Sequence, residues 1–192
     1  MKEKIIIVEG PQGAGKTTVT DYIRHSLPYT NLYRLSGNKD SSKEGLKKSI
    51  KMYDDLINYM KTLEHTDINL VFDRTFFTEE VYCRLGFKDF SFTEEYNKCV
   101  KALDNLDFDI YYINLYLDDT NAFAERLKRS GKAKIDYAAF AVESSIKQQN
   151  MYKEIADELE ENTKNIKVIN FNTNIPVEEV YKRLDDLLGM QK

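Results

Sequence analysis

The chain has 192 residues, 42% of them hydrophobic, which suits one domain that buries about 70% of the surface of its unfolded chain. Its 28 Lys and Arg and 32 Asp and Glu give a formal net charge of −4, which argues against a general nucleic-acid binder with a basic surface. The two cysteines, Cys83 and Cys99, form no metal-binding pattern and suggest reduced thiols. Short apolar runs and a charged N-terminus predict no membrane span and no signal peptide, so we expect a cytoplasmic protein.

The first predicted strand, Lys4–Glu9, contains four consecutive aliphatic residues, as is typical of a central parallel strand covered on both faces. It leads directly into a glycine-rich loop that fits G-x-x-x-x-G-K-[ST] at every fixed position. After this loop, apolar residues recur at helical spacing as far as Leu27, and Pro28 ends the helix. The loop comprises Gly10, Pro11, Gln12, Gly13, Ala14, Gly15, Lys16, Thr17 and Thr18.

A loop of this pattern between a strand and a helix predicts a phosphate-binding site formed by residues 10–18. Gly10, Gly13 and Gly15 allow backbone turns that a Cβ would block, so that backbone N–H groups can surround the β-phosphate of a nucleoside triphosphate. Lys16 provides a cation for the β- and γ-phosphates, and the Thr17 hydroxyl is a ligand for Mg²⁺. We therefore expect ATP and Mg²⁺ as cofactors.

Further strand patterns alternate with helical patterns and predict a three-layer α/β fold, in which helices flank a five-stranded parallel sheet. The remaining predicted strands are Asn31–Leu35, Asn69–Asp73, Ile110–Leu117 and Ile166–Phe171. The other predicted helices are Ser42–Leu63, Thr93–Leu106, Thr120–Ser130, Ala139–Leu159 and Val177–Leu188. Because ligands bind at the carboxyl ends of parallel strands, the residues that follow each strand are the candidates for a site.

The third strand ends in an acidic residue followed by a basic one, Asp73 and Arg74. Asp73 can hold Mg²⁺ through water or accept a proton from an attacking group, and Arg74 can bind an acceptor phosphate with its planar guanidinium. The alternative is an Asp that caps the next helix beside a surface Arg. The glycine-rich loop at the same edge of the sheet favours the functional interpretation.

The segment that begins at Asp73 resembles a motif of the thymidylate kinases and their relatives, the deoxynucleoside kinases. The family pattern D-R-[YW]-x-x-S-x-x-A-Y-Q corresponds to D-R-T-F-F-T-E-E-V-Y-C, and a second family motif is echoed between Phe108 and Asp118. The resemblance covers the whole chain in architecture and two short motifs in detail. It implies a P-loop NTPase fold and one kinase domain spanning residues 1–192, with a short lid at about residues 126–137.

Basic residues cluster at the predicted lid, where a closing segment of a kinase brings cations to the γ-phosphoryl group. The candidates are Arg126, Arg129, Lys132 and Lys134, and the alternative is a solvated basic helix end. The resemblance matches Arg126 with the first lid arginine of these kinases and Arg129 with a second. We therefore expect both arginines to act in catalysis with Lys16, Asp73 and Arg74.

The resemblance also indicates how an acceptor would bind. Arg34 stands in the second-strand motif and can reach an acceptor phosphate together with Arg74. Phe77 and Tyr82 are the aromatic residues best placed to contact a base, and the alternative for each is packing in the core. Gln12 stands where the family has Asp, and Cys83 stands where the thymidylate kinase pattern ends in Gln.

Together these residues predict an ATP- and Mg²⁺-dependent kinase that transfers a phosphoryl group to a deoxynucleoside monophosphate. A nucleoside 5′-hydroxyl is an alternative acceptor, with Asp73 as general base, but the pair of Arg34 and Arg74 favours a monophosphate. A polynucleotide kinase and a nucleotide-dependent switch remain further alternatives. We expect a small-molecule acceptor and neither a membrane nor a nucleic-acid partner, and the resemblance allows for a homodimer because related kinases often dimerise.

Overall fold

Five strands form one sheet in the structure, a computed structural model that describes residues 2–135 and 137–190. They are β1 (Lys4–Glu9), β2 (Thr30–Arg34), β3 (Asn69–Asp73), β4 (Asp109–Tyr116) and β5 (Ile166–Asn172). Their order in the sheet is β2-β3-β1-β4-β5, and every neighbouring pair is parallel. The predicted five-stranded parallel sheet is confirmed, with small shifts at the strand ends.

In the part of the chain that the structure describes, seven α-helices connect or follow these strands. They are α1 (Lys16–Ser26), α2 (Lys43–Thr62), α3 (Phe76–Arg84), α4 (Thr93–Asp104), α5 (Ala122–Arg129), α6 (Val142–Asn162) and α7 (Val177–Leu188). Between α5 and α6 lie two 3₁₀ turns, Lys132–Lys134 and Ala138–Phe140, so α6 begins later than the sequence pattern predicts. Within the described part of the chain, no helix has the length and apolar character needed to cross a membrane.

The sheet is covered on both faces, which confirms the predicted three layers. Successive side chains of a strand point to opposite faces, so Ile5 and Ile7 pack with α2, α3, α4 and α6 on one side. Ile6 and Val8 pack with α1 and α7 on the other side. All four side chains are fully buried, which explains why β1 reads as a continuous apolar run.

The strand order places a crevice between the carboxyl ends of β1 and β3. From β1 the chain crosses to β2 at one edge and returns to β3, and it then passes β1 to reach β4 on the opposite side. Connections that leave β1 and β3 therefore run in opposite directions, which is where open α/β sheets bind ligands. Val8 pairs with Asp73 in the register of these two strands, so both strands end beside the crevice.

Candidate active site

The glycine-rich loop turns sharply between β1 and α1. Gly10 has φ +143°, and a Cβ at this position would lie 2.6 Å from the carbonyl oxygen of Leu115 on β4. No larger residue fits this approach without a shift of β4, which explains the glycine. Helix α1 begins at Lys16, so its first N–H groups and its positive end face the crevice.

The Lys16 side chain is buried inside the loop, with 6% of its surface exposed. Its ammonium Nζ donates hydrogen bonds of 2.8 Å to the carbonyl oxygens of Gly10 and Pro11. Burial lowers the pKa of Lys16 well below its ordinary value, and the nearby Arg74 lowers this pKa further. A bound anion would compensate for this loss of hydration, so the burial fits a phosphate-binding role.

The crevice opens into a cavity of about 700 Å³ with a strongly positive lining. Among the described residues that line it, one is acidic, Asp73, although the whole chain carries a net charge of −4. The basic lining residues are Lys16, Arg34, Arg74, Arg126, Arg129 and Lys132. Apolar side chains of Ile175, Val177 and Val180 line another part of its wall. Such a lining suits a ligand with several negative charges and one flat apolar portion.

Thr17 and Asp73 bring two oxygen ligands together at the edge of the cavity. The Thr17 hydroxyl Oγ1 donates to the Asp73 carboxylate Oδ2 at 3.3 Å. Within residues 2–135 and 137–190, no cluster of three or more His, Cys, Asp or Glu residues could hold a metal ion alone. One hydroxyl and one carboxylate nevertheless fit Mg²⁺, because this ion typically keeps several waters and binds substrate phosphates.

Arg74 has an unusual backbone conformation, with φ +74° in the left-handed region. Its N–H donates to the carbonyl oxygen of Val8 at 3.2 Å, which anchors the residue to the end of β1. The half-buried guanidinium lines the cavity, and it makes no hydrogen bond or ion pair with the residues that the structure describes. A strained backbone and a cation available for a ligand both favour a functional role.

Arg34, at the end of β2, lines the same cavity as Arg74. Its guanidinium pairs with Asp21 on α1, and its Nε lies 3.8 Å from the Asp73 Oδ2. The side chain remains 48% exposed, so it can exchange these contacts for a ligand. The structure thus brings Arg34, Asp73 and Arg74 together in the lining of one cavity at the carboxyl ends of β2 and β3.

The two arginines of the predicted lid, Arg126 and Arg129, differ in their surroundings. Arg126 donates from Nη2 to the Thr173 carbonyl oxygen at 2.7 Å and from Nη1 to the Gly13 carbonyl oxygen at 3.3 Å, which fixes α5 against the glycine-rich loop. Burial lowers the pKa of Arg126, and Arg129 lowers it further. Arg129 is exposed and lines the cavity. Of the predicted lid at residues 126–137, Asp136 lies outside the described residues.

The structure corrects the role expected for Phe77. Its side chain is fully buried, because its ring contacts those of Phe76 on the same helix, Tyr96 on α4 and Tyr112 on β4. These neighbours leave no ring surface for a base, so Phe77 is a core residue. Tyr82 lies five residues further along α3 and is 8% exposed. Its hydroxyl accepts a hydrogen bond of 3.2 Å from Gln12 Nε2, which places it beside the glycine-rich loop.

Two residues that sequence reasoning did not select contact the glycine-rich loop, and a third, Glu9, precedes it. The Thr173 hydroxyl donates to the Ala14 carbonyl oxygen at 2.6 Å, and Gln148 Oε1 accepts from the Gln12 N–H at 3.3 Å. Glu9 immediately precedes the loop and accepts from the Thr75 N–H at 2.7 Å. Burial raises the pKa of Glu9 to about 7. For Glu9, the signal in the sequence is a carboxylate directly after the apolar run Ile5–Val8.

Comparison with solved structures identifies proteins of the same fold, whereas no family model and no curated protein matches the chain. The YorR protein from Bacillus subtilis, solved in complex with phosphorylated GDP, is 19% identical with a TM-score of 0.66, over 96% of this chain and 95% of that one. Thymidylate kinase from Candida albicans is 16% identical with a TM-score of 0.65, over 98% and 92%. Deoxyadenosine kinase from M. mycoides, solved with dCMP and dCDP, is 20% identical with a TM-score of 0.60, over 96% and 98%. At these identities the likeness establishes the fold alone, and the predicted P-loop NTPase fold is confirmed.

Proposed function

We propose that the protein is an ATP- and Mg²⁺-dependent nucleoside monophosphate kinase that transfers the γ-phosphoryl group of ATP to a deoxynucleotide. The observation that carries this proposal is the convergence of Lys16, Arg74 and Lys132 on one cavity whose single described carboxylate is Asp73. A gathering of buried and half-buried cations around one carboxylate is unfavourable unless a polyanion binds there. A triphosphate and an acceptor phosphate together supply the missing negative charge.

The residues divide into donor and acceptor sides. Residues 10–18 and the positive end of α1 would hold the triphosphate, with Lys16 at the β- and γ-phosphates. The apolar wall formed by Ile175, Val177 and Val180 offers a surface for the base of ATP. Thr17 and Asp73 would hold Mg²⁺, which would neutralise charge on the β- and γ-phosphate oxygens.

On the acceptor side, two arginines favour a substrate that already carries a phosphate. Arg34 and Arg74 flank Asp73, and a guanidinium binds a phosphate through two parallel hydrogen bonds. Tyr82 would lie near the sugar or the base of the acceptor, since its hydroxyl contacts Gln12 in the glycine-rich loop. Arg126 and Arg129 would stabilise the donor side from the lid.

A nucleoside with a free 5′-hydroxyl is the second candidate acceptor. This substrate needs a general base, and the Asp73 carboxylate lines the cavity beside the expected phosphate positions. A nucleoside carries no phosphate, so Arg34 and Arg74 would have no acceptor phosphate to bind. We therefore favour the monophosphate.

The test is a panel of nucleosides and nucleoside monophosphates, each incubated with ATP and Mg²⁺ and analysed for ADP and for the phosphorylated product. We expect stoichiometric ADP and nucleoside diphosphate with at least one monophosphate, and at least tenfold lower kcat/KM with the matching nucleoside. The R74A variant should raise the KM for the monophosphate, and R24A on the exposed face of α1 is its control. Faster turnover of the nucleoside would favour the second candidate, and no transfer to any acceptor would contradict kinase activity.

A further inference from the structure

Lys132 connects the lid to the glycine-rich loop. It begins the 3₁₀ turn Lys132–Lys134, and its Nζ donates to the Gln12 Oε1 at 2.6 Å. The same ammonium lies 5.6 Å from the centroid of the Phe140 ring, which restricts its direction further. The side chain also lines the cavity that contains Lys16 and Arg74.

Gln12 is held in place from two helices and is 1% exposed. Its Nε2 donates to the Tyr82 hydroxyl on α3 at 3.2 Å, and its N–H donates to Gln148 Oε1 on α6 at 3.3 Å. Gln148 is fixed in turn, because its Nε2 donates to the Ala139 carbonyl oxygen at 2.8 Å. These contacts leave Gln12 Oε1 as an acceptor of fixed direction for the lid.

The chemical identity of Gln12 matters as much as its position. An amide oxygen accepts a hydrogen bond from Lys132 and leaves the full positive charge of the ammonium available to a ligand. A carboxylate at position 12, as in the resembling kinases, would neutralise much of that charge. The chain therefore combines a neutral acceptor in the glycine-rich loop with a cation from the lid.

Other lid cations are less suited to face the transferred group. Arg126 has donors directed at the carbonyl oxygens of Thr173 and Gly13, and Arg129 is exposed. Burial lowers the pKa of Lys132, and the nearby Arg74 lowers it further, so an anion between these two cations would stabilise the charged lysine.

We propose that Lys132 is a catalytic residue that contacts the γ-phosphoryl group, and that Gln12 is the positioning residue that directs it. This inference rests on the kinase function proposed above. A bond forms between the γ-phosphorus and an oxygen of the acceptor phosphate, and the bond from that phosphorus to the β,γ-bridging oxygen breaks. The electron pair of the broken bond leaves on ADP. The acceptor oxygen is already anionic, so Lys132 stays protonated and stabilises charge on the transferred group.

The first test compares K132M with K128M in the full-length protein, using the best monophosphate from the panel. Lys128 is a suitable control because it lies on α5 and its side chain is exposed. We expect K132M to lower kcat about a hundredfold while the KM for ATP changes less than about threefold, and K128M to match the wild type. Equal kcat for K132M and the wild type would overturn the inference alone, whereas an inactive wild type would contradict the proposed function itself.

The second test asks whether Gln12 acts through Lys132. The Q12A variant should lower kcat about tenfold in the wild-type background and have little further effect in the K132M background, because the group that it positions is then absent. A change in folding would lower kcat equally in both backgrounds, so equal losses would overturn the positioning role. Circular dichroism of all four proteins controls for loss of structure.

Discussion

At the scale of single residues, Lys16 carries the largest expected effect on activity. Its ammonium is buried and directed into the glycine-rich loop by the carbonyl oxygens of Gly10 and Pro11. We predict that K16M lowers kcat at least a hundredfold, since it removes a cation aimed at the developing charge. The matched control is K43M, because Lys43 also begins a helix but is exposed. Steady-state kinetics measure kcat for both variants. A K16M variant with the same kcat as K43M would contradict the role of Lys16.

Glu9 provides a prediction about stability and pH. Burial raises its pKa from 4.5 to about 7, against the hydrogen bonds donated by Thr78 and Thr75. Between these two pH values the folded protein retains a proton that the unfolded chain releases, so the free energy of unfolding falls as the pH rises. The difference in pKa corresponds to roughly 3 kcal/mol.

The E9Q variant removes this titration and keeps hydrogen-bonding partners for Thr75 and Thr78. We therefore expect the stability of the wild type to fall relative to that of E9Q as the pH is raised from about 4.5 to about 7. Urea unfolding at several pH values measures the difference. A constant difference between the two proteins over this interval would show that Glu9 does not titrate as described.

At the scale of elements, Gly45 fixes the start of α2 against the segment that follows β2. A Cβ at this position would lie 1.9 Å from the carbonyl oxygen of Asp40, and Asn38 Nδ2 donates to the Gly45 carbonyl oxygen at 2.7 Å. Helix propensity alone predicts that G45A stabilises the protein by about 1 kcal/mol. We expect overpacking to dominate, with a loss of about 1–3 kcal/mol.

Urea unfolding of G45A measures which effect is larger. The control is K47A on the same helix, where an exposed side chain loses one surface ion pair with Glu44 and stability should change by less than about 0.5 kcal/mol. A G45A protein more stable than the wild type would mean that the backbone near Asp40 adjusts freely.

The sequence predicts a strand or a helix well where the hydrophobic pattern and a neighbouring motif indicate the same structure. The apolar run Ile5–Val8 and the glycine-rich loop indicate a buried strand that leads into a helix, and both are found. The contacts of Gln12 are not predictable in this way, because its partners lie 70, 120 and 136 residues further along the chain. The resemblance predicts that Phe77 contacts a base, but in the structure α3 directs its ring into the core.

At the scale of the whole molecule, topology brings the site together. The crevice lies between β1 and β3, which are neighbours in the sheet. Their ends therefore meet, although Asp73 follows Glu9 by 64 positions in the sequence. The α/β pattern predicts the five parallel strands, and the general rule for such sheets predicts the edge at which ligands bind. Which cation of the predicted lid lines the cavity depends on long-range packing. The sequence favours Arg126 and Arg129 over Lys132 and Lys134, whereas the structure places Lys132 in the cavity lining with both arginines.

The most direct measurement of the central claim is a crystal structure with Mg²⁺, a non-hydrolysable ATP analogue and the preferred monophosphate. We predict that the triphosphate lies within residues 10–18 with its γ-phosphate near Lys16, and that the acceptor phosphate contacts Arg74 from the end of β3. Polyphosphate bound elsewhere on the protein, or an acceptor remote from Asp73 and Arg74, would contradict the account.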